Sequence, residues 1–99
     1  MEYPRTISAK ELNAKLGAFV SVKQGEVRNE LTLTFENGWL CQSYTSPVAA
    51  QLRGGDTFFY PKHDCSKTTN RHVNRFCGMT LPERREALQN GSAVYVTEC

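Results

Sequence analysis

Apolar and polar residues alternate most regularly in ELTLTFENGWLCQSYT, where Leu31, Leu33 and Phe35 are separated by Thr32 and Thr34. A period of two predicts a strand with one buried face. Asn37-Gly38 is the preferred pair for a type I′ turn, so a return strand is expected over 39–45. Shorter alternating or apolar runs predict strands over 18–23, 48–53 and 57–60. The last two form a hairpin around Gly54-Gly55, and Ser46-Pro47 interrupts pairing before them. Pro61 ends this region, Gln24-Gly25 is read as a turn, and SAVYVT over 92–97 is a final strand.

Elsewhere the spacing changes to three and four. In TISAKELNAKLG over 6–17, Ile7, Leu12 and Leu16 share a helical face, Ser8 with Glu11 fits a capping box, and Gly17 suits a left-handed stop. Ser66, Thr68 or Thr69 offers an N-cap for a second helix running through Phe76, with Val73 and Phe76 inside and Gly78 closing it. Thr80 and Glu83 form another capping box for a third helix, with Pro82 in its first turn, Leu88 inward and Gly91 at its end. The expected fold is α+β, with a mostly antiparallel sheet of five or six strands and two or three short helices packed on one face.

Ninety-nine residues make a single domain, 1–99, with one core. The longest uncharged stretch, 37–52, is interrupted by Gln42, Ser43, Thr45, Ser46 and Pro47, so no membrane association is expected. MEYPRTISAKE carries an early Glu2 and lacks the basic start and apolar run of a signal peptide, which predicts a cytoplasmic protein. Cys41, Cys65, Cys77 and Cys99 are therefore expected to be thiols. The net charge of +2 names no partner, but its distribution is uneven: five basic residues face two acidic ones between Arg53 and Arg75, and the flanking segments are near neutral.

That basic stretch contains HDCSKTTNRHVNRFC, His63 to Cys77, which concentrates the candidate chemistry. His63, Cys65, His72 and Cys77 are zinc-compatible ligand types, but the spacing is not that of a closed site. Cys77 lies roughly 140° around a helix from His72. No metal or other cofactor is expected, and Cys65 and Cys77 read as small packed side chains. A Cys–His or Ser–His nucleophile drawn from His63, Cys65, Ser66 and His72 lacks the strand–elbow–helix context that would build an oxyanion hole, and no hydrolase, nucleotide or dinucleotide motif occurs. Asp56 and Asp64 are read as turn residues. The expected protein is not an enzyme.

A third reading is anion or nucleic-acid binding. Arg71 and Arg75 are one helical turn apart, Lys67 precedes them, and Asn70 and Asn74 form a second pair beside them able to read base edges. The competing reading is a solvated outer face. His72, next to the inner Val73, reads first as a packed or capping side chain. Trp39, Phe58, Phe59 and Tyr60 read as core and sheet surface, with aromatics on both faces of one strand and any exposed one a contact for a protein partner. The terminal SAVYVTEC offers an edge for pairing with a second copy and Cys99 a thiol for cross-linking; the oligomeric state is left open.

QSYTSPVAA and DCSKTTNRHVNRF together resemble a group of small uncharacterised proteins of bacteriophages, prophages and plasmids. These share an S-Y-x-T-x-V-A strand and an aromatic-S-x-T-T-x-x-H-x-N element. Ser43, Tyr44, Ser46, Val48 and Ala49 match the first approximately, and Ser66, Thr68, Thr69, His72 and Asn74 match the second closely; Cys65 stands in the aromatic position. The resemblance covers about a third of the chain and implies a mobile-element origin without an activity. Within it, Ser66, Thr68, Thr69 and His72 form a structural motif that starts the helix and, with Asn74, ties it to the sheet. The expected function is a small binding protein that engages a host protein or nucleoprotein complex, an anti-defence inhibitor of anti-CRISPR type being its most concrete form. Lys67, Arg71, Arg75, Asn70 and Asn74 are the expected contacts. The alternatives are a DNA- or RNA-binding regulator using the basic helix 69–76, and a zinc-stabilised domain or small thiol or histidine enzyme.

Overall fold

A computed structural model describes residues 3–24 and 29–97. Gly25 of the expected turn and the terminal Cys99 lie outside the described residues. The chain runs β1 (Thr6–Ser8), α1 (Ala9–Leu16), β2 (Phe19–Gln24), β3 (Glu30–Phe35), β4 (Gly38–Ser43), β5 (Ser46–Leu52) and β6 (Thr57–Phe59). A short 3-10 helix (Pro61–Asp64), α2 (Lys67–Cys77), α3 (Leu81–Asn90) and β7 (Val94–Thr97) follow. Among the described residues one sheet holds all seven strands in the order β1-β7-β6-β5-β4-β3-β2. Strands β2 to β6 form an antiparallel meander, and β7 pairs parallel with both β6 and β1.

The α+β class and the mostly antiparallel sheet are as expected, with seven strands in place of five or six. The added strand is β1, formed by residues read as the start of the first helix. Ser8 ends that strand and caps α1, its hydroxyl accepting the Glu11 amide at 3.1 Å. The helices also divide between the two faces of the sheet. Leu12 and Leu16 of α1 pack with Leu40, Ala50, Phe58, Val94 and Val96, whereas Val73 of α2 and Ala87 and Leu88 of α3 pack with Cys41, Ala49, Phe59 and Ala93. Leu40/Cys41, Ala49/Ala50 and Phe58/Phe59 are strand neighbours pointing to opposite faces, so the central strands are buried on both sides. Among the described residues no helix is long and apolar enough to cross a membrane.

Two turns and the terminal strand depart from the sequence pattern. Phe35 pairs with Gly38, so the β3–β4 turn is Glu36-Asn37 and neither residue has a positive φ. Gly38 opens β4 for a different reason: a Cβ there would stand 2.2 Å from the Gln51 carbonyl oxygen. The turn also caps the end of α1, since the Asn37 amide and side chain donate to the carbonyls of Leu16 and Lys15 at 3.0 and 3.1 Å. Pairing continues through Ser46 and Pro47, because a register shift between Cys41 and Gln42 absorbs the proline and Tyr44 turns the chain at φ 58°. Finally, β7 is an interior strand with β1 on one side and β6 on the other, so the expected terminal edge is closed. The long edge is β2, where Phe19, Val20 and Val22 are exposed.

Gly38→Ala should destabilise the fold by about 2 kcal/mol or more, because backbone rather than a flexible side chain must move to admit the methyl group. Urea midpoints of the two proteins measure this, and an unchanged midpoint would show that the β4–β5 contact is looser than the structure has it.

Candidate functional site

Ser66, in extended conformation, is the N-cap of α2: its hydroxyl accepts the Thr69 amide at 3.1 Å. Gly78 ends the helix with φ 75°. The helix starts two residues earlier than the expected 69–76, so Thr68 is half-buried in the first turn and Thr69 turns inward. From this helix two polar networks run into the interior.

The first joins α2 to the hairpin of β3 and β4. Glu30 and Ser43 stand directly opposite each other in the β3–β4 register. Ser43 Oγ hydrogen-bonds His72 Nδ1 at 2.9 Å and lies 3.3 Å from Thr69 Oγ1, which is itself 3.1 Å from Ser66 Oγ. His72 Nε2 is 3.4 Å from Glu30 Oε2 without a hydrogen-bond partner, and the same carboxylate is ion-paired with Arg75. Burial lowers the His72 pKa; Glu30 opposes this and Arg75 reinforces it. A serine, a histidine and a glutamate in contact invite comparison with an acyl-transfer site. Here Ser43 is 2% and His72 1% exposed, and a nucleophile must reach both substrate and oxyanion donors.

The second network is centred on Arg84 of α3, which is completely buried. Its Nε donates to His63 Nδ1 at 3.2 Å and its Nη1 to the Met79 carbonyl at 3.1 Å. Nη1 and Nη2 also donate to the side-chain oxygens of Asn74 and Asn70. These acceptors are all neutral. Because a guanidinium only donates, His63 must accept through Nδ1 and carry its proton on Nε2. Burial, with Arg84 and Arg85, pushes the His63 pKa down, against Asp64. Asp64 itself pairs with Arg85 at 3.6 Å.

The expected contact residues divide accordingly. Lys67 and Arg71 are exposed and form no ion pair among the described residues. Arg75 is exposed but bonded to Glu30. Asn70 and Asn74 are half-buried and turn their oxygens to Arg84, so the expectation that they read base edges is replaced by an internal role. The expected structural motif is present in altered form. Ser66 alone caps the helix, Thr69 and His72 tie it to the sheet through Ser43, and Asn74 ties it to α3.

The zinc-compatible side chains are dispersed. His63 belongs to Arg84 and His72 to Ser43; Cys65 Sγ contacts Thr69 Oγ1 at 3.6 Å and Cys77 Sγ the Met79 carbonyl at 3.8 Å. Among the described residues no three His, Cys, Asp or Glu side chains cluster closely enough to hold a metal ion. Cys41, beneath α2, has its thiol pKa raised by burial to about 12, far from the thiolate form.

Arg84, Ser43 and Glu30 were not among the site residues expected from sequence. For Arg84 a signal existed: it lies three residues after Leu81 and four before Leu88, on the helix's apolar stripe. Glu30 carried no such mark, because only the strand register brings it to Ser43.

Arg84→Met should cost at least about 3 kcal/mol, since it leaves two amide oxygens, a carbonyl and an imidazole nitrogen without their donor. Ser43→Ala should cost about 1–3 kcal/mol and keep the fold. Chemical denaturation with circular dichroism checks both, and a Ser43→Ala loss exceeding that of Arg84→Met would reverse the ranking of the two networks.

The model of one family, described as Family of unknown function (DUF8033), matches residues 7–91, a span that includes every residue of both networks. No curated protein and no solved structure matches. With most of its length matched, the chain belongs to the Family of unknown function DUF8033.

Proposed function

We propose that this is a small cytoplasmic binding protein of a phage or other mobile element, which presents the outer face of α2 to an acidic surface on a host protein or nucleoprotein. An anti-defence inhibitor is the most specific form of this reading. The observation that carries it is the pairing of exposure with internal restraint on one helix: Lys67 and Arg71 face solvent without an ion pair among the described residues, while Thr69 and His72 are tied to β4 and Asn70 and Asn74 to α3. A cationic face held this way loses little freedom on binding, which favours recognition by charge and shape. Closure of Ser43 and His72 from solvent supports binding over catalysis. The mobile-element origin rests on the resemblance carried by Ser43–Ala49 and Ser66–Asn74.

Direct DNA or RNA binding is the second reading, favoured by Lys67 and Arg71 one turn apart, with Arg75 a further turn on. One set of measurements separates the two. The affinity-tagged chain and its Lys67→Glu/Arg71→Glu variant are presented to a nuclease-treated bacterial lysate, and both are titrated with labelled duplex and single-stranded DNA and RNA at two salt concentrations. Retention of a defined protein by the parent chain alone supports the host-protein reading. Nucleic-acid binding that weakens steeply with salt and vanishes in the variant supports the regulator. Identical behaviour of parent and variant in every arm rejects the α2 face as the contact surface.

A further inference from the structure

Two buried histidines hold the α2–α3 layer, and they face opposite charges. A proton added to His72 at Nε2 would meet the Glu30 carboxylate oxygen 3.4 Å away. One added to His63 at Nδ1 would displace the Arg84 Nε–H that it accepts at 3.2 Å, leaving two cations in contact where His63 is 4% and Arg84 0% exposed. Phe59 of β6 closes the ring in, at 5.5 Å between centroids.

We propose that the His63–Arg84 contact is an acid-sensitive latch: protonation of His63 detaches the 3-10 helix from Arg84 and loosens α3 and the Asn70–Asn74 side of α2. The charged groups acting on His63 are Asp64 from its own turn and Arg84 and Arg85 from α3. Both arginines oppose the imidazolium, and Asp64, which favours it, is shared with Arg85 at 3.6 Å. Around His72 the opposing cation is Arg75 on its own helix and the favouring anion is Glu30 on β3. Burial disfavours both imidazolium forms, so the two histidines act with the same sign; the latch is placed at His63 because a proton added there meets the Arg84 guanidinium, whereas one added to His72 meets the Glu30 carboxylate.

The direction follows from proton linkage. With its folded pKa held below the ordinary 6.5, His63 binds fewer protons in the folded chain than in the unfolded one. Its contribution is complete above about pH 6.5 and is lost as the pH falls through 6.5 toward the folded value. One such group shifts the unfolding equilibrium by up to about tenfold per pH unit in that window. Asp56 and Glu83, held low by Arg5 and by Thr80 respectively, change protonation only below the ordinary carboxylate range, so neither contributes between about pH 7.5 and about pH 5.5, and the two histidine variants apportion the rest.

Urea unfolding of the full chain, His63→Gln and His72→Gln at those two pH values tests the latch. Glutamine keeps an acceptor for Arg84 and cannot titrate. The expected result is a shift toward unfolding of the parent chain at low pH, less than half of that shift in His63→Gln, and most of it in His72→Gln. An undiminished shift in His63→Gln, or a flattened one in His72→Gln alone, overturns the proposal. Should His63→Gln not fold, a proton NMR titration of the parent chain decides. A His63 midpoint below 6.5, accompanied by faster amide exchange in α3 relative to intrinsic rates, supports the latch. A midpoint at or above 6.5, or titration without any change in α3 exchange, rejects it.

Discussion

A guanidinium buried without an ion pair among the described residues is the constraint on which the helical layer depends. Desolvating Arg84 is expensive, and most buried arginines recover that cost from an ion pair. Arg84 instead recovers it from dipoles supplied by three separate places: the ring of His63 in the 3-10 helix, the amides of Asn70 and Asn74 in α2, and the Met79 carbonyl in the α2–α3 connection. The fit has a geometric origin. Residues four apart on a helix are about 6 Å apart along its axis, close enough for two amide oxygens to take the two ends of one guanidinium fork. Removing any one acceptor leaves the charge in place and the remaining ones unable to compensate it. The spacing between α2, α3 and the 3-10 helix is therefore set by one side chain.

The same helix is held on its other flank by hydroxyl and imidazole contacts to β4. Residues of α2 thus divide by direction: Val73 packs against the sheet, Thr69 and His72 bond to Ser43, Asn70 and Asn74 reach α3, and Lys67 and Arg71 are left outward. A high density of side-chain hydrogen bonds on so short a helix compensates for its poor intrinsic helical content of Thr, Asn, His and Val, which would not hold eleven residues in water unaided. The polar composition that reads as a binding surface in the sequence is, in good part, the means by which the helix is built.

How much of this was legible can be judged from particular residues. The ends of the helices were, because capping is local: Ser8 with Glu11, Ser66, Thr80 with Glu83, and the glycines at 17, 78 and 91 act on backbone a few positions away. Strand positions were legible for the same reason, except β1, whose residues read as the start of the first helix. The division of the helices between two faces was missed because alternation on Leu31, Leu33 and Phe35 describes β3 near the sheet margin, where those residues are only half-buried. The central strands carried the opposite signal in the unbroken apolar runs Val48–Ala50 and Phe58–Tyr60, which are buried on both faces. Asn37-Gly38 misled because a glycine can serve close packing as well as a positive φ, and only the position of Gln51 distinguishes the two. The two networks were not legible as networks, since their members are separated by up to 45 positions, Glu30 from Arg75.

The resemblance in the sequence does acquire a physical meaning once those distances close. Its two segments, around Ser43 and around His72, form opposite halves of one buried contact. The spacing from Ser66 to Thr69 to His72 is three and three, which returns to one helical face, so cap, hydroxyl bridge and imidazole line up toward Ser43. The arrangement has the residue types of a charge-relay system, but Ser43 shares its hydroxyl with Thr69 as well as His72, and the glutamate holds an arginine. Ser43 is enclosed by partners that hold it where it is. What the Ser43–His72 pair specifies is position. Cys41 and Val73 pack between the hairpin and the helix without direction, and the one directional contact beside them fixes their register.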